Sequence, residues 1–231
     1  MDSTLGRSSW HSSKVELGGK KTAYFYRDPM LCIRHLLGQP AYKYDVVYAQ
    51  TVEQNDVRER NSRKMNTADW WWETQEILPE GATDLPIICA SDGTHVTNYS
   101  RDKKAWPAYI TIGNIKETIC NKPSNGAILQ LALLPMPPKL GRETVQCKSL
   151  RRESQCAFHQ ALQYILLSLL NPSDNGSMID FSDGHQRLCF PILCAWIADQ
   201  EMHSTLHNIQ SQACPKSEVS RNGLGDLQEY P

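Results

Sequence analysis

Three strand-like segments stand one after another in the middle of the chain, and a long helical segment follows them. The strand-like segments cover residues 86–91, 108–112 and 127–134, and they are rich in Ile, Ala and Leu. Three consecutive strands predict an antiparallel meander. The helix is predicted over 151–170, where apolar residues recur at the helical steps of Phe158, Leu162, Ile165 and Leu169.

A fourth strand is predicted over 177–182, and a second helix over about 190–199. A helix that crosses from the third strand to a fourth implies a mixed sheet, with the fourth strand beside an earlier one. The predicted fold class is therefore α/β, with a mixed sheet built from a three-strand meander, a crossover helix and a fourth strand.

The remaining segments divide the chain around this core. Residues 1–28 are rich in Ser, Gly and Lys and predict a flexible arm. Residues 29–82 predict a helical or irregular extension, with short helices over 30–37 and from Asp69 to about residue 78. The core is expected over 83–200, and 201–231 form a tail.

Composition excludes some classes of function. The 231 residues contain 24 Lys+Arg and 25 Asp+Glu, so no overall field attracts the protein to nucleic acid or to an anionic membrane. The longest apolar stretch, 161–170, is too short to span a bilayer, which takes about 20 residues, and the N-terminus lacks a signal-peptide pattern. We expect a protein that is neither secreted nor membrane-bound, with eight scattered cysteines as free thiols.

Two strand-like segments end in Ser-Asp-Gly, at Asp92 and at Asp183. If the first and fourth strands are neighbours, both carboxylates lie at one end of the sheet, where a cation would relieve their repulsion. Paired oxygen ligands suit Mg²⁺ or Mn²⁺ and form half of a two-metal site for displacement at phosphorus. An ordinary turn is the alternative, because Asp-Gly is a strong hairpin dipeptide. Asp180 is a weaker candidate because it falls on the opposite face from Asp183.

Several long runs resemble the Plavaka-type transposases of fungal mobile elements, which belong to the Kyakuja-Dileera-Zisupton group. The runs are DWWWETQ (69–75), LPIICASD (85–92), THVTN (94–98), KAWPAYITIGN (104–114), SDG (182–184) and FPILCAWIAD (190–199). The resemblance extends from about residue 27 to the C-terminus. It implies a ribonuclease-H-like fold, a triad of acidic residues, two divalent ions, and DNA cleavage followed by strand transfer. Asp92 and Asp183 match the positions of the first two acids.

Two departures from the family pattern concern the end of the chain. The family's third acid lies well downstream of the segment around Cys214, and no motif identifies it among the late carboxylates Asp199, Glu201, Glu218, Asp226 and Glu229. The family commonly has Cys-Pro-x-Cys where this chain has CPKS at 214–217. Ser217 cannot supply a thiolate, so His203, His207 and Cys214 form only a weak zinc candidate, and we expect no zinc.

Basic and aromatic clusters are further candidates for contact with DNA. Basic residues that could contact phosphates are Arg101, Lys103, Lys104, Arg151 and Arg152. A solvated surface is the commoner explanation of such clusters. Trp70 to Trp72 could stack on an unpaired base, although anchoring a helix onto the core is favoured.

Three hypotheses follow. The first is a transposase-derived protein with a partial catalytic domain, working on DNA in the nucleus with Mg²⁺ or Mn²⁺, and a homo-oligomer is left open. The second is a nonenzymatic relic or domesticated module that binds DNA or protein, in the nucleus or the cytoplasm. The third is an unrelated α/β binding domain whose Asp-Gly pairs are only turns.

Overall fold

The structure is a computed structural model that describes residues 8–52, 64–92, 94–97, 103–135 and 145–209. Its strands are β1 (His11–Leu17), β2 (Lys20–Tyr26), β3 (Thr83–Ser91), β4 (Thr94–Thr97), β5 (Lys103–Ile112), β6 (Leu129–Leu134), β7 (Ser177–Asp180) and β8 (Gln186–Ala198). Its α-helices are α1 (Pro29–Leu37), α2 (Asp69–Ile77), α3 (Glu117–Cys120), α4 (Val145–Asn175) and α5 (Gln200–Leu206). None of these helices is long and apolar enough to cross a membrane.

The strands form one mixed sheet in the order β1-β2-β6-β5-β3-β8-β7, and β4 pairs with β5 beside this path. The pair β3–β8 is parallel, whereas the other described neighbours are antiparallel. The predicted meander is confirmed, because β3, β5 and β6 are neighbours in that order. The α/β class with a mixed sheet is likewise confirmed.

Helix α4 makes the crossover from β6 to the far side of β3. Its buried side chains are Ala157, Phe158, Ala161, Ile165 and Leu169, which recur at helical spacing and join the main core. The helix is longer than predicted and continues through Pro172 to Asn175. Gly176 follows with φ of 74°, a conformation that favours glycine, and β7 begins at the next residue.

The predicted second helix over 190–199 is wrong, because these residues belong to strand β8 and its end. Short apolar runs fit either a buried strand or a buried helix, so periodicity alone does not separate them. The burial of 192–198 alternates with a period of two, as a strand with one face on the core requires. The predicted fourth strand, β7, is therefore an edge strand beside β8 and does not touch β3.

The predicted flexible arm over 1–28 is wrong for residues 11–26, which form the β1–β2 hairpin. Gly18 and Gly19 make its turn with φ of 60° and 69°. Val15, Leu17 and Tyr24 are buried, and the backbone N–H of Gly18 donates to Glu153 Oε2 of α4 over 3.1 Å. The hairpin therefore belongs to the same sheet as the rest of the core.

The two faces of the sheet have different surroundings. The face that carries Ile87, Cys89 and Ile110 is buried beneath α1 and α4, and we call it the core face. On the opposite face, which we call the open face, α2 packs at the start of β3, where Gln75 Nε2 donates to the carbonyl of Ala82 over 2.9 Å. Further along, Ile197 of β8 is 62% exposed on this face.

Asp84, near the start of β3, is a fully buried acid in this covered part of the open face. Neither of its carboxylate oxygens has a hydrogen-bond partner among the described residues, although Asn114 Nδ2 donates to its backbone carbonyl over 3.0 Å. Burial raises the pKa of Asp84 to about 7. The neutral acid is therefore the form that the folded protein favours below this pH.

We predict that Asp84 makes the protein less stable as the pH rises from about 4 to about 7. In this range the folded state holds a proton that the unfolded state has lost, which costs about 1 kcal/mol per pH unit. Asp84→Asn should remove this slope in urea unfolding followed by circular dichroism, and the exposed Asp174→Asn should retain it. An identical pH dependence in wild type and Asp84→Asn would contradict the prediction.

Candidate functional site

Asp92 interrupts a long antiparallel ladder and is not part of a tight hairpin turn. Ser91 of β3 pairs with Ala108 of β5, and Thr94 of β4 pairs with Ala105 of the same strand, so the register is the same on both sides of the break. The alternative that β3 and β4 form a hairpin about Asp92-Gly93 is therefore wrong. Asp92 is exposed and has no hydrogen bond or ion pair with any residue that the structure describes.

Asp183 lies in the turn between β7 and β8, where its carboxylate is already occupied. Arg187 Nη1 and Nη2 donate to its two oxygens over 3.0 and 2.7 Å, and the backbone N–H of His185 donates to Oδ1 over 3.0 Å. These contacts hold the pKa of the carboxyl well below its usual range, chiefly through the hydrogen bonds from Arg187. The guanidinium carbon also lies 4.0 Å from the ring centroid of Tyr48 and 4.7 Å from that of Phe181.

The register places Asp92 and Asp183 at opposite ends of the parallel pair β3–β8. Thr83 pairs with Cys189 at the end near Asp183, and Ser91 pairs with Ala198 at the end near Asp92. The length of strand between these two pairs is roughly 30 Å at ~3.3 Å per residue. The expectation that the two carboxylates meet at one metal ion is therefore wrong, whereas the catalytic role predicted for Asp92 stays a prediction.

Asp199 stands where Asp183 was expected. It follows Ala198 directly, just as Asp92 follows Ser91, and Ala198 and Ser91 are the last pair of the parallel ladder. Neighbouring strands run ~4.8 Å apart, so the two acids leave the sheet side by side. Pairing of Ala90 with Ile197 puts both acids on the open face, because side chains two residues apart share a face.

Two hydrogen bonds hold this end of the sheet in place. Trp196 Nε1 donates to Ser91 Oγ over 2.8 Å and ties the ends of β8 and β3 together on the core face. Asp199 caps α5, with Oδ1 accepting from the backbone N–H of Met202 over 2.7 Å. The cap fixes the direction of the Asp199 side chain and leaves Oδ2 without a partner among the described residues.

Sequence reasoning named Asp199 only among the late carboxylates, because its strand was predicted to be a helix. The signal that could have found it is the shared ending of CASD (89–92) and AWIAD (195–199), in which an acid follows an apolar strand. The structure pairs these two strands in parallel, which gives them a common end.

The other predicted residues lie in several places. Lys103 and Lys104 begin β5 at the same end of the sheet as Asp92, and Arg151 and Arg152 lie in α4. Arg101 and Cys214 lie outside the described residues. These phosphate contacts stay predictions.

The helix after Asp199 carries the predicted histidines. The rings of His203 and His207 stack with centroids 5.9 Å apart and an interplanar angle of 12°. Within the described ranges, no group of three or more His, Cys, Asp or Glu side chains could hold a metal ion. Trp71 is fully buried, as a residue that anchors α2 onto the core would be.

Comparison with known proteins identifies the family. A family model described as Plavaka transposase matches residues 1–231. The chain belongs to the Plavaka transposase family. No curated protein and no solved structure matches this transposase chain.

We predict that Asp183 in this Plavaka transposase stabilises the fold through its contacts with Arg187. Removing one charge of this partly buried, doubly hydrogen-bonded pair should cost about 1 to 3 kcal/mol. The measurement is urea unfolding of Asp183→Asn, with Asp180→Asn as the matched control, because Asp180 lies on the same hairpin and, among the described residues, accepts a hydrogen bond from Gln186 Nε2 alone. Equal stability of the two variants would rule out a structural role for the Asp183–Arg187 pair.

Proposed function

We propose that this chain carries part of the catalytic domain of a DNA transposase, and that Asp92 and Asp199 are two of its catalytic acids. The reaction is metal-dependent cleavage of DNA followed by strand transfer. The observation that carries the proposal is the pair of exposed carboxylates that follow adjacent parallel strands in a chain of the Plavaka transposase family. Asp199 takes the role that the sequence suggested for Asp183.

The order of elements supports a ribonuclease-H-like core. The meander β3-β5-β6 is followed by the crossover helix α4, then by the edge strand β7, and then by β8, which is parallel to and beside β3. In this interpretation β3 and β8 are the two central strands that present acids at a common end. The β1–β2 hairpin and β7 extend the sheet at its two edges.

The residues at this end fit a hard divalent cation. Mg²⁺ and Mn²⁺ prefer oxygen ligands, and Mg²⁺ is commonly held by one or two carboxylates together with water and substrate phosphate oxygens. Asp92 offers a carboxylate that no described residue engages, and Asp199 offers Oδ2. Bound there, the metal would supply activation of the attacking oxygen and stabilisation of the leaving oxygen at phosphorus.

The chain's own residues provide position and charge. The hydrogen bond that Asp199 Oδ1 accepts from the Met202 N–H orients Asp199, and the hydrogen bond from Trp196 to Ser91 holds the two strand ends together. The two carboxylates thereby place negative charge at one point on the edge of the open face. Without a cation, that charge would repel the phosphates of DNA.

Acting on DNA, the protein would work in the nucleus. The second candidate function is a nonenzymatic module that binds DNA or protein. The observation that favours it is the change from the family's Cys-Pro-x-Cys to CPKS at 214–217. Metal-dependent cleavage separates the two candidates.

We predict that Asp92→Asn and Asp199→Asn each weaken Mn²⁺ binding tenfold or more in isothermal titration calorimetry. Each substitution removes one of the two charged ligands from the site, while the amide retains the shape of the side chain. Asp183→Asn is the control and should bind Mn²⁺ like the wild type, because its carboxylate already pairs with Arg187. Equal Mn²⁺ affinity in all four proteins would refute the site.

The same proteins should differ in Mn²⁺-dependent nicking of a supercoiled plasmid. Wild type and Asp183→Asn should nick, whereas Asp92→Asn and Asp199→Asn should not. Nicking that survives both substitutions would refute the catalytic assignment. Metal binding without nicking by the wild type would favour the nonenzymatic module.

A further inference from the structure

Two exposed aromatic side chains lie together on the open face of the β1–β2 hairpin. Trp10 is 41% exposed and Phe25 is 47% exposed. Phe25 pairs with Ser12 across the hairpin, so Trp10, two residues before Ser12, is its diagonal neighbour on the same face. The Arg27 guanidinium carbon lies 4.5 Å from the ring centroid of Trp10 and supports one face of that ring.

The surroundings of these rings are cationic. On the same face of the hairpin, alternation places Lys14, Lys21 and Arg27 together with a single acid, Glu16. The whole chain has a net charge of −1, so this excess of positive charge is local. Aromatic rings bordered by cations suit a strand of nucleic acid, whose bases stack on the rings while its phosphates meet the cations.

Phe25 stands in one row across the sheet with the two acids. Phe25 pairs with Leu133, and Leu133 pairs with Pro107. Ser91 pairs with Ala108 in antiparallel strands, so Asp92, one residue later, lies opposite Pro107, one residue earlier. On the other side of Asp92 lies Asp199, because Ser91 also pairs with Ala198 in the parallel ladder. Alternation assigns Phe25, Leu133 and Pro107 to the open face, where Pro107 is buried, and its continuation past the last ladder pair assigns Asp92 and Asp199 to the same face.

The length of this row suits a short stretch of a nucleic acid strand. Three strand spacings separate Phe25 from Asp92, which is about 14 Å at ~4.8 Å each. This span equals about four nucleotides at the ~3.4 Å rise of one stacked strand.

We propose that Trp10 and Phe25 form a stacking platform for unpaired bases of the strand whose phosphate reaches Asp92 and Asp199. This proposal rests on the proposed function and adds to it a binding surface and a preference for single-stranded nucleic acid. Arg27 and Lys14 neutralise phosphates beside the platform. The position of the hairpin in the sheet therefore sets the number of nucleotides between the unpaired bases and the phosphate that is cut.

The test is fluorescence anisotropy with a labelled single-stranded oligonucleotide, in EDTA so that binding does not depend on a metal ion. Trp10→Ala and Phe25→Ala should each weaken binding about tenfold, within the range expected for one lost base–aromatic stack. Ile77→Ala is the matched control, because Ile77 is 81% exposed on α2 and lies away from the platform. Trp10→Phe should retain binding, which separates lost stacking from a damaged hairpin.

Salt and competitor experiments complete the test. Lys14→Gln should lower the slope of log affinity against log salt by about 0.7, the value for one phosphate contact on a single strand. A duplex of the same sequence should compete less well than the single strand.

Wild-type protein that fails to bind the single strand, or Trp10→Ala and Phe25→Ala proteins that bind like Ile77→Ala, would overturn the platform. Preference for the duplex would overturn it as well. Intact platform binding in a protein that lacks Mn²⁺-dependent nicking would count against the proposed catalysis alone.

Discussion

The parallel pairing of β3 with β8 is the constraint on which the candidate site depends. Two parallel strands end at the same edge of a sheet, and each of these strands is followed directly by an aspartate. The crossover helix α4 makes the pairing possible by burying one apolar stripe on the core face while it carries the chain from β6 to the far side of β3. The hydrogen bond from Trp196 Nε1 to Ser91 Oγ then holds the ends of β8 and β3 together.

Much of the fold could be predicted from local patterns in the sequence. Alternation and apolar runs identified β3, β5 and β6, helical spacing identified α4, and helix start and stop signals identified α1. The β8 strand was missed because an apolar run of nine residues carries no period that separates a strand from a buried helix. The β1–β2 hairpin was missed because its buried side chains, such as Val15 and Leu17, are few and stand among polar residues.

The candidate site could be only half predicted for the same reason. Predicting Asp92 as a candidate requires only strand β3, which was identified correctly. Predicting the second acid requires knowing which strand lies beside β3. Taking β7 for that strand selected Asp183, which the structure holds in a pair with Arg187 at the other end of β8. The error in secondary structure at 190–199 thus kept Asp199 from being considered as the partner of Asp92.

The central claim is that Asp92 and Asp199 share one divalent cation at the end of the β3–β8 pair. The most direct measurement is anomalous diffraction from crystals of the protein grown with Mn²⁺, which locates the metal ion independently of the protein coordinates. We predict an anomalous peak between the carboxylates of Asp92 and Asp199. A peak at Asp183, or well-defined strand ends that hold Asp92 and Asp199 apart, would contradict the claim.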